Sequence, residues 1–513
     1  MGNYLKKVSG ENMIPSTVHI KEVPSRFKHQ VPKYKVTRSD DCINCGTCAK
    51  MCPYGVHERV EGHNKVRPPI DYKCIGFECR NNDFYCVAKC PRKALSLSLN
   101  PMYETLGDPR WTTDMITGTW IMAETGYPPK RTDLEYNIGN SGGGFDKLRF
   151  KFPARPSHLD KSEISTEIPL NRRNDGRANI IISTPVYGGG MSFGSVSLPT
   201  MVSKARNAVI WNTFTSTGEG GYPDILYPYD DHVITQVATG LFGVREETIQ
   251  RVKIIEFKYA QGAKPGLGGH LLGEKNTASV AKMREAVKGV SLFSPFPFHS
   301  VYSIEDHKKH IDWIKEMNPN ALVSVKVSTP NDVDMVAVGS YYAGAHIIHI
   351  DGGYGGTGAA PDIAKKNIAM PIEYAITKVH TFLKDEGARD AMTLIASGGI
   401  RTAHDLAKAI CLGADGAVIG TAELVALECV RCGNCESGRG CSRGIATTDS
   451  ELADLFDEDW ATQRLTNLYH AWNVQLVDIL QRFGMRSVRE LVGRTDLLEH
   501  INYGHERESG YDE

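Results

Sequence analysis

Twelve of the thirteen cysteines in this chain of 513 residues fall into three tight groups, and thiolates grouped in this way hold metal. Cys42, Cys45, Cys48 and Cys52-Pro53 stand at C-x2-C-x2-C-x3-C-P spacing, the run that wraps an iron–sulfur cluster. Cys74, Cys79, Cys86 and Cys90-Pro91 follow at a wider spacing and again close in Cys-Pro. Two adjacent runs of this kind predict a two-cluster ferredoxin-like module in which the fourth cysteine of each run serves the other cluster. The expected ligand sets are therefore Cys42, Cys45, Cys48 with Cys90, and Cys74, Cys79, Cys86 with Cys52. Paired structural zinc sites are the competing reading, because C-x2-C also serves zinc. Cys429, Cys432, Cys435 and Cys441 form the third group and can hold a further cluster; without a closing proline, zinc competes more strongly there. Cys411 stands alone in an apolar segment and reads as a small buried hydrophobe.

A chain of this length does not need disulfide staples, so grouped cysteines indicate a reducing compartment, and the cytoplasm is the expected location. No run approaches the roughly 18 consecutive apolar residues of a membrane span. Lys plus Arg (59) nearly cancel Asp plus Glu (60), which leaves no basic footprint for nucleic acid. Small molecules and other redox proteins are the expected partners.

The elements that must position this chemistry follow from pattern. Residues 1–35 read as an arm, 36–100 as the cluster module, and 101–177 as a connector wrapping the next domain. From 178 to 428, short β-branched runs alternate with helix-length segments, and eight runs can be counted, near residues 180–183, 209–212, 252–257, 290–293, 322–327, 346–350, 393–396 and 416–419. Eight such repeats predict an α/β fold, a (β/α)8 barrel, and the glycine-rich and charged residues follow the runs, where a barrel keeps its active site. Residues 429–445 then carry the third cysteine group and 446–513 a helical end. Gly398-Gly399 after run seven and Gly420-Thr421 after run eight occupy the two loops that commonly bind phosphate in barrels. Gly355-Gly356-Thr357 after run six adds a third such turn, since glycines let backbone N–H groups approach phosphate oxygens. No G-x-G-x-x-G fingerprint follows a first strand, so FMN fits better than a dinucleotide.

Several motifs in order carry a family resemblance: Gly189-Gly-Met-Ser-Phe-Gly194, Ser216-Thr-Gly-Glu-Gly-Gly221, Gln236-Val-Ala-Thr-Gly240, Lys258-Tyr-Ala-Gln-Gly-Ala-Lys264-Pro-Gly, Tyr302-Ser-Ile-Glu-Asp306 and Gly355-Gly-Thr-Gly-Ala359. With them, residues from about 135 to 500 resemble the FMN-binding synthase domain of glutamate synthase, and with the N-terminal module the chain resembles the short, archaeal-type form. The resemblance implies that Lys258 contacts the flavin, Lys264 the 2-oxoglutarate substrate, and Arg284 a substrate carboxylate. It also implies that Met191, Ser192, Gln236, Gln261 and Lys326 lie around the flavin. A dicarboxylate needs fixed cations, and reduced flavin needs a cation near its ring. For Arg284, on a helical stretch, a solvated face is the alternative. Glu219 is expected to position ammonia or protonate an intermediate, with a turn-stabilising role as its alternative. His270 stands where larger family members have glutamine, which puts a protonatable group in place of an amide. Those larger enzymes use three cysteines for a 3Fe-4S centre, whereas Cys432 gives this chain four, favouring 4Fe-4S.

The resemblance thus implies an oxidoreductase that forms L-glutamate from 2-oxoglutarate and ammonia through 2-iminoglutarate. A glutaminase domain and a pyridine-nucleotide module are not visible. Ammonia is therefore expected from solution or a separate glutaminase subunit, and electrons from a ferredoxin or an NAD(P)H-reductase subunit. The rival readings are an N-methylglutamate synthase-type subunit, an FMN-dependent 2-hydroxy acid oxidase, and an electron-transfer subunit without its own substrate site.

Overall fold

A computed structural model describes residues 18–26, 31–103, 105–129, 144–155, 157–356, 358, 360–361, 363–365, 367–436 and 439–501. They divide into two compact units. The first comprises the described residues of Pro24–Gly118 with Pro129, and the second those of Thr119–Pro128 and Asn140–Glu513 with the few before Pro24. Among the described residues no helix is long and apolar enough to cross a membrane.

In the first unit, strands Tyr34–Arg38 and Leu95–Leu99 pair antiparallel, with Tyr34 opposite Leu99 and Arg38 opposite Leu95. Short helices Thr47–Met51 and Cys86–Lys89 each stop at a Cys-Pro step. A residue before proline is driven out of the helical region, and Cys52 (φ −76°, ψ 108°) and Cys90 (φ −71°, ψ 116°) are extended. The proline thus turns the fourth cysteine of each run away from its own helix. The apolar cluster here is small: Val36, Val56 and Leu95 are buried, and Cys48, Cys52, Cys74, Cys86 and Cys90 pack against them.

The second unit is built on eight parallel strands: β1 Val186–Gly188, β2 Thr215–Ser216, β3 Val233–Ala238, β4 Ile254–Lys258, β5 Leu322–Ser328, β6 Ile347–Asp351, β7 Thr393–Ser397 and β8 Gly416–Ile419. They pair in the order β1-β8-β7-β6-β5-β4-β3-β2. The ring is closed between the two ends by Gly188 N–H donating to Phe214 O at 2.9 Å and by Thr213 Oγ1 donating to Val186 O at 2.8 Å. This is the α/β barrel that the alternation predicts, and strands β4 to β8 are buried along their whole length, as a barrel enclosed by helices requires.

Three of the eight expected runs are not barrel strands, and the run at 252–257 is the fourth strand rather than the third. Ile181–Ile182 pairs antiparallel with Ile168–Pro169 outside the ring, and the first barrel strand begins at Val186. Val209-Ile210 ends the helix Leu198–Ile210, where a proline in the first turn and a buried face outweigh the β preference of two branched residues. Leu292–Phe293 pairs with His270–Leu271 in a small hairpin between β4 and β5. The strands missed are β1, β2 and β3, the longest of them β3, whose VITQVA sequence is β-branched and wholly buried.

Candidate functional site

The residues expected to do chemistry stand where β1 to β4 run out into loops. The backbone after β1 brings Met191 and Ser192 against Gly218 in the loop after β2. A Cβ on Gly218 (φ +68°) would come within 2.7 Å of Ser192 N, so only glycine fits that crossing. Gln236, on β3, lies against Gly190, where an added Cβ would meet Nε2 at 2.8 Å. Lys258, the last residue of β4, pairs with Glu219 at 3.1 Å (Nζ to Oε1). Gly269 packs so closely on Glu219 that a Cβ would overlap the carboxylate.

Lys264 is buried, and its Nζ donates to His270 Nδ1 at 3.2 Å. Burial, reinforced by Lys258, lowers its ammonium to about 8 against the opposing pull of Glu219 and Glu436. His270 is also lowered, first by burial and then by Lys264, and its Nε2 faces Glu436 Oε2 at 3.8 Å. Burial pushes the carboxyl of Glu219 upward, but Lys258, Lys264 and Arg284 more than reverse this and hold it below its ordinary value. Arg284 does not sit on a solvated face. It is buried at the end of helix Ala278–Arg284, and its Nη2 donates to Ser192 Oγ at 2.8 Å and Phe193 O at 3.1 Å, while its buried Nε has no partner. Three cations, one histidine and two carboxylates, Glu219 and Glu436, thus share one mouth.

The glycine loops stand beyond the ends of β6, β7 and β8. Gly355 N–H donates to Gly352 O at 3.0 Å, and Gly356 lies against Thr421, whose Oγ1 would be 2.3 Å from an added Cβ. Gly398 (φ +88°) and Gly399 (φ +129°) both adopt left-handed backbone after β7. Gly420 precedes the short helix Thr421–Ala426 and is met by Met191 Cε. Thr357 lies outside the described residues. Gln261 caps the turn that leads to Lys264, its carbonyl accepting from Lys264 N–H at 3.3 Å. Lys326, on β5, faces Asp351 at 3.7 Å.

In the first unit one cavity is lined by Cys42, Cys45, Cys48 and Cys90, together with Arg38 and Pro91. Cys52, Cys74, Cys79 and Cys86 lie close enough to act on one another's charge, and burial, with that repulsion, pushes the Cys79 thiol up to about 11 and the Cys86 thiol up to about 12. N–H groups point at cysteine sulfurs: Gly76 N to Cys74 at 3.4 Å and Ala94 N to Cys90 at 3.3 Å. Such donors suit thiolates that carry a cluster. Among the described residues no three His, Cys, Asp or Glu side chains are gathered closely enough for a single metal ion.

In the second unit Cys429, Cys435 and Cys441 interact electrostatically, Cys432 acts on Cys435, and Arg431 N–H points at Cys429 Sγ at 3.4 Å. Lys275 donates to Cys435 O, and Gly358 lies against Cys435. Glu436, next in the chain, is the residue that faces His270. Cys411 is fully buried.

Comparison with known proteins decides the family. Residues 147–486 match the conserved region in glutamate synthase, and residues 34–91 match a 4Fe-4S dicluster domain. The chain belongs to the glutamate synthase family. It is 35% identical to the archaeal-type glutamate synthase (NADPH) of Thermotoga maritima, over 92% of this chain and 96% of that one. It is 36% identical to the archaeal glutamate synthase (NADPH) of Methanocaldococcus jannaschii, over 92% and 95% of the two chains. The glutamate synthase (NADPH) large chain of Azospirillum brasilense is 36% identical over 62% of this chain but only 21% of its own. Among solved structures, a flavocytochrome b2 variant is similar at a TM-score of 0.44 and 15% identity, over 72% of this chain and 80% of that one. The glutamate synthase family makes this chain an oxidoreductase, and the dicluster match favours iron–sulfur clusters over zinc in the first unit.

Sequence reasoning passed over a set of buried residues on the same strands, Glu256, Ser324, His349 and Ser397. Their signal is a polar residue at every second position in strands otherwise made of Ile and Val, as in LVSVKVS and IIHID.

Proposed function

We propose that this protein forms L-glutamate by reductive amination of 2-oxoglutarate with ammonia through 2-iminoglutarate, using FMN and iron–sulfur clusters. The observation that carries the reading is the mouth itself: Lys258, Lys264 and Arg284 gathered about Glu219. A dianionic substrate is held best by fixed, partly desolvated cations, and guanidinium matches carboxylate geometry.

FMN, when bound, supplies the hydride, and the clusters supply its electrons one at a time. The residues fit such a group: Gly356, Gly399 and Gly420 leave backbone open to a phosphate, while Gln236 and Lys326, in the C-terminal halves of β3 and β5, would serve the ring. Lys264 and Arg284 would hold the two carboxylates of 2-oxoglutarate. Lys264 donates to His270 Nδ1, so that nitrogen is the acceptor, and His270 keeps its proton on Nε2 toward Glu436. His270 thereby orients Lys264 without adding a charge. Glu219, kept ionised by Lys258, offers its carboxylate to ammonia or to the iminium nitrogen.

Cys42, Cys45, Cys48 and Cys90 would hold one 4Fe-4S cluster and Cys74, Cys79, Cys86 and Cys52 the other; the cavity lined by the first set supports the exchange of fourth ligands. The third group would hold one more cluster, and the link from Cys435 through Glu436 to His270 supports a place beside the substrate mouth. A reductase subunit or a ferredoxin would deliver electrons, and a separate glutaminase subunit would deliver ammonia. The test is an anaerobic assay of the purified protein with 2-oxoglutarate, ammonia and reduced ferredoxin. L-Glutamate is the expected product; activity only with methylamine and glutamate would reassign the enzyme to N-methylglutamate formation.

A further inference from the structure

Beneath the mouth, the bore of the barrel holds side chains that a packed core normally excludes. Gln236, Glu256, Ser324, His349, Asp351 and Ser397 are each less than a tenth exposed. They form one hydrogen-bonded chain. Gln236 Nε2 donates to Glu256 Oε1 at 2.7 Å, and Ser324 Oγ donates to Glu256 Oε2 at 2.9 Å. His349 Nδ1 lies 3.0 Å from the same Oε2, and His349 Nε2 lies 2.7 Å from Ser397 Oγ. Ser397 Oγ in turn donates to Asp351 Oδ1 at 2.6 Å, while Asp351 Oδ2 accepts from Gly262 N–H at 2.9 Å and faces Lys326 at 3.7 Å.

Counting protons along this chain leaves little freedom. An ionised Glu256 only accepts, so His349 Nδ1 must donate to it. Ser397 has one hydrogen, and it goes to Asp351, so the serine oxygen must accept from His349 Nε2. Both ring nitrogens then carry protons. The charges agree: Glu256 and Asp351 are balanced by Lys326 and a charged ring, whereas a neutral ring would leave one buried negative charge uncompensated, which is costly in a bore closed to water. Tyr187, the other ionisable group against Glu256, is neutral, its phenol held far above its ordinary value by burial. Burial raises the carboxyls of Glu256 and Asp351, and His349 and Lys326 lower both below their ordinary values.

We infer that His349 is held as an imidazolium between Glu256 and Asp351, and that it is a positioning residue which, through those carboxylates, aims Gln236 and Lys326 at the flavin ring. The second half rests on the FMN reading above; the first half does not. One consequence is that the two carboxylates stay compensated, so that no net negative charge of the bore would oppose an anionic reduced flavin.

Neutron diffraction from deuterium-exchanged crystals of the holoenzyme tests the first half without any substitution. Deuterium on both His349 nitrogens, with bare carboxylates at Glu256 and Asp351, is expected; a single ring deuterium, or one on Asp351, overturns it. For the second half, His349→Gln should bind FMN at a lower midpoint potential than the wild type, and Ser397→Ala should shift it in the same direction if His349→Gln does not fold. An unchanged potential with flavin bound overturns the positioning role. Wild-type protein without FMN would refute the flavin reading and with it the positioning role, while the deuterium pattern still decides the charge on His349.

Discussion

The cysteine-bearing unit and the barrel hold charge in opposite ways. In the first, cysteines are packed on a small apolar cluster of Val36, Val56 and Leu95, and burial drives thiols such as Cys86 far from ionisation. In the second, strands β4 to β8 are buried from end to end, and the barrel supplies its own counter-charges, Lys258 to Glu219 at the mouth and Lys326 to Asp351 in the bore. On the proposed function, the unit with the small core would depend on its clusters for cohesion, while the barrel packs without them.

The largest effect that could break this contrast is loss of iron. Chelation under anaerobic conditions should abolish amide protection in the strands Tyr34–Arg38 and Leu95–Leu99 while leaving β4 to β7 protected, as hydrogen exchange would report. Equal loss in both units, or none in either, would contradict the contrast. Next in size, Gly399→Asp should strip FMN from a barrel that remains folded, since a side chain at φ +129° is strained and its carboxylate would oppose a phosphate. The ratio of flavin to protein after gel filtration measures it, and full retention would move the phosphate site to another loop.

A smaller effect sharpens the account of the mouth. Lys264 is charged below about pH 8 and neutral above it, so its hold on a carboxylate is present at lower pH and lost as pH rises. KM for 2-oxoglutarate should therefore climb about fivefold between pH 8 and pH 9 while remaining flat near neutrality. A flat profile across that range would remove Lys264 as the titrating anchor. Smallest of all, Cys432→Ser should lower iron from about twelve to about eleven per chain, with a 3Fe-type paramagnetic signal on oxidation. Unchanged iron would mean that exposed Cys432 is not a ligand.

The two regions also differ in how much of them can be read from the chain. A cluster site is a local code: three cysteines within seven residues and a proline that stops the short helix are visible without knowing the fold. The barrel mouth is assembled from several loops of the barrel, with Ser192 and Arg284 meeting across 92 residues, so Lys258, Lys264 and Glu219 could be named only through motifs, and their pairings, Lys258 with Glu219 and Lys264 with His270, could not. Arg284 shows why: its helix looks half polar, yet a glutamate in left-handed conformation ends that helix and leaves the arginine buried against the β1 loop. Short strands were the other blind spot. β2 is two residues long, too short for any alternation, and the Val209-Ile210 pair beside it drew the expectation of a strand into a helix. In the bore, polar residues at every second strand position carried a signal, but the partner of each lies on a neighbouring strand, a relation that only register supplies.

The central claim is that the cations of the mouth read a dicarboxylate, and Lys264→Ala tests it most directly. Removing one charge-assisted contact costs about 1.5–3 kcal/mol, roughly a ten- to two-hundred-fold fall in kcat/KM for 2-oxoglutarate. The account predicts that loss together with a full complement of FMN that dithionite still reduces, because Lys258 and Lys326 stay in place. Normal turnover with normal flavin would contradict it, and lost flavin with normal affinity for 2-oxoglutarate would exchange the roles of Lys264 and Lys258.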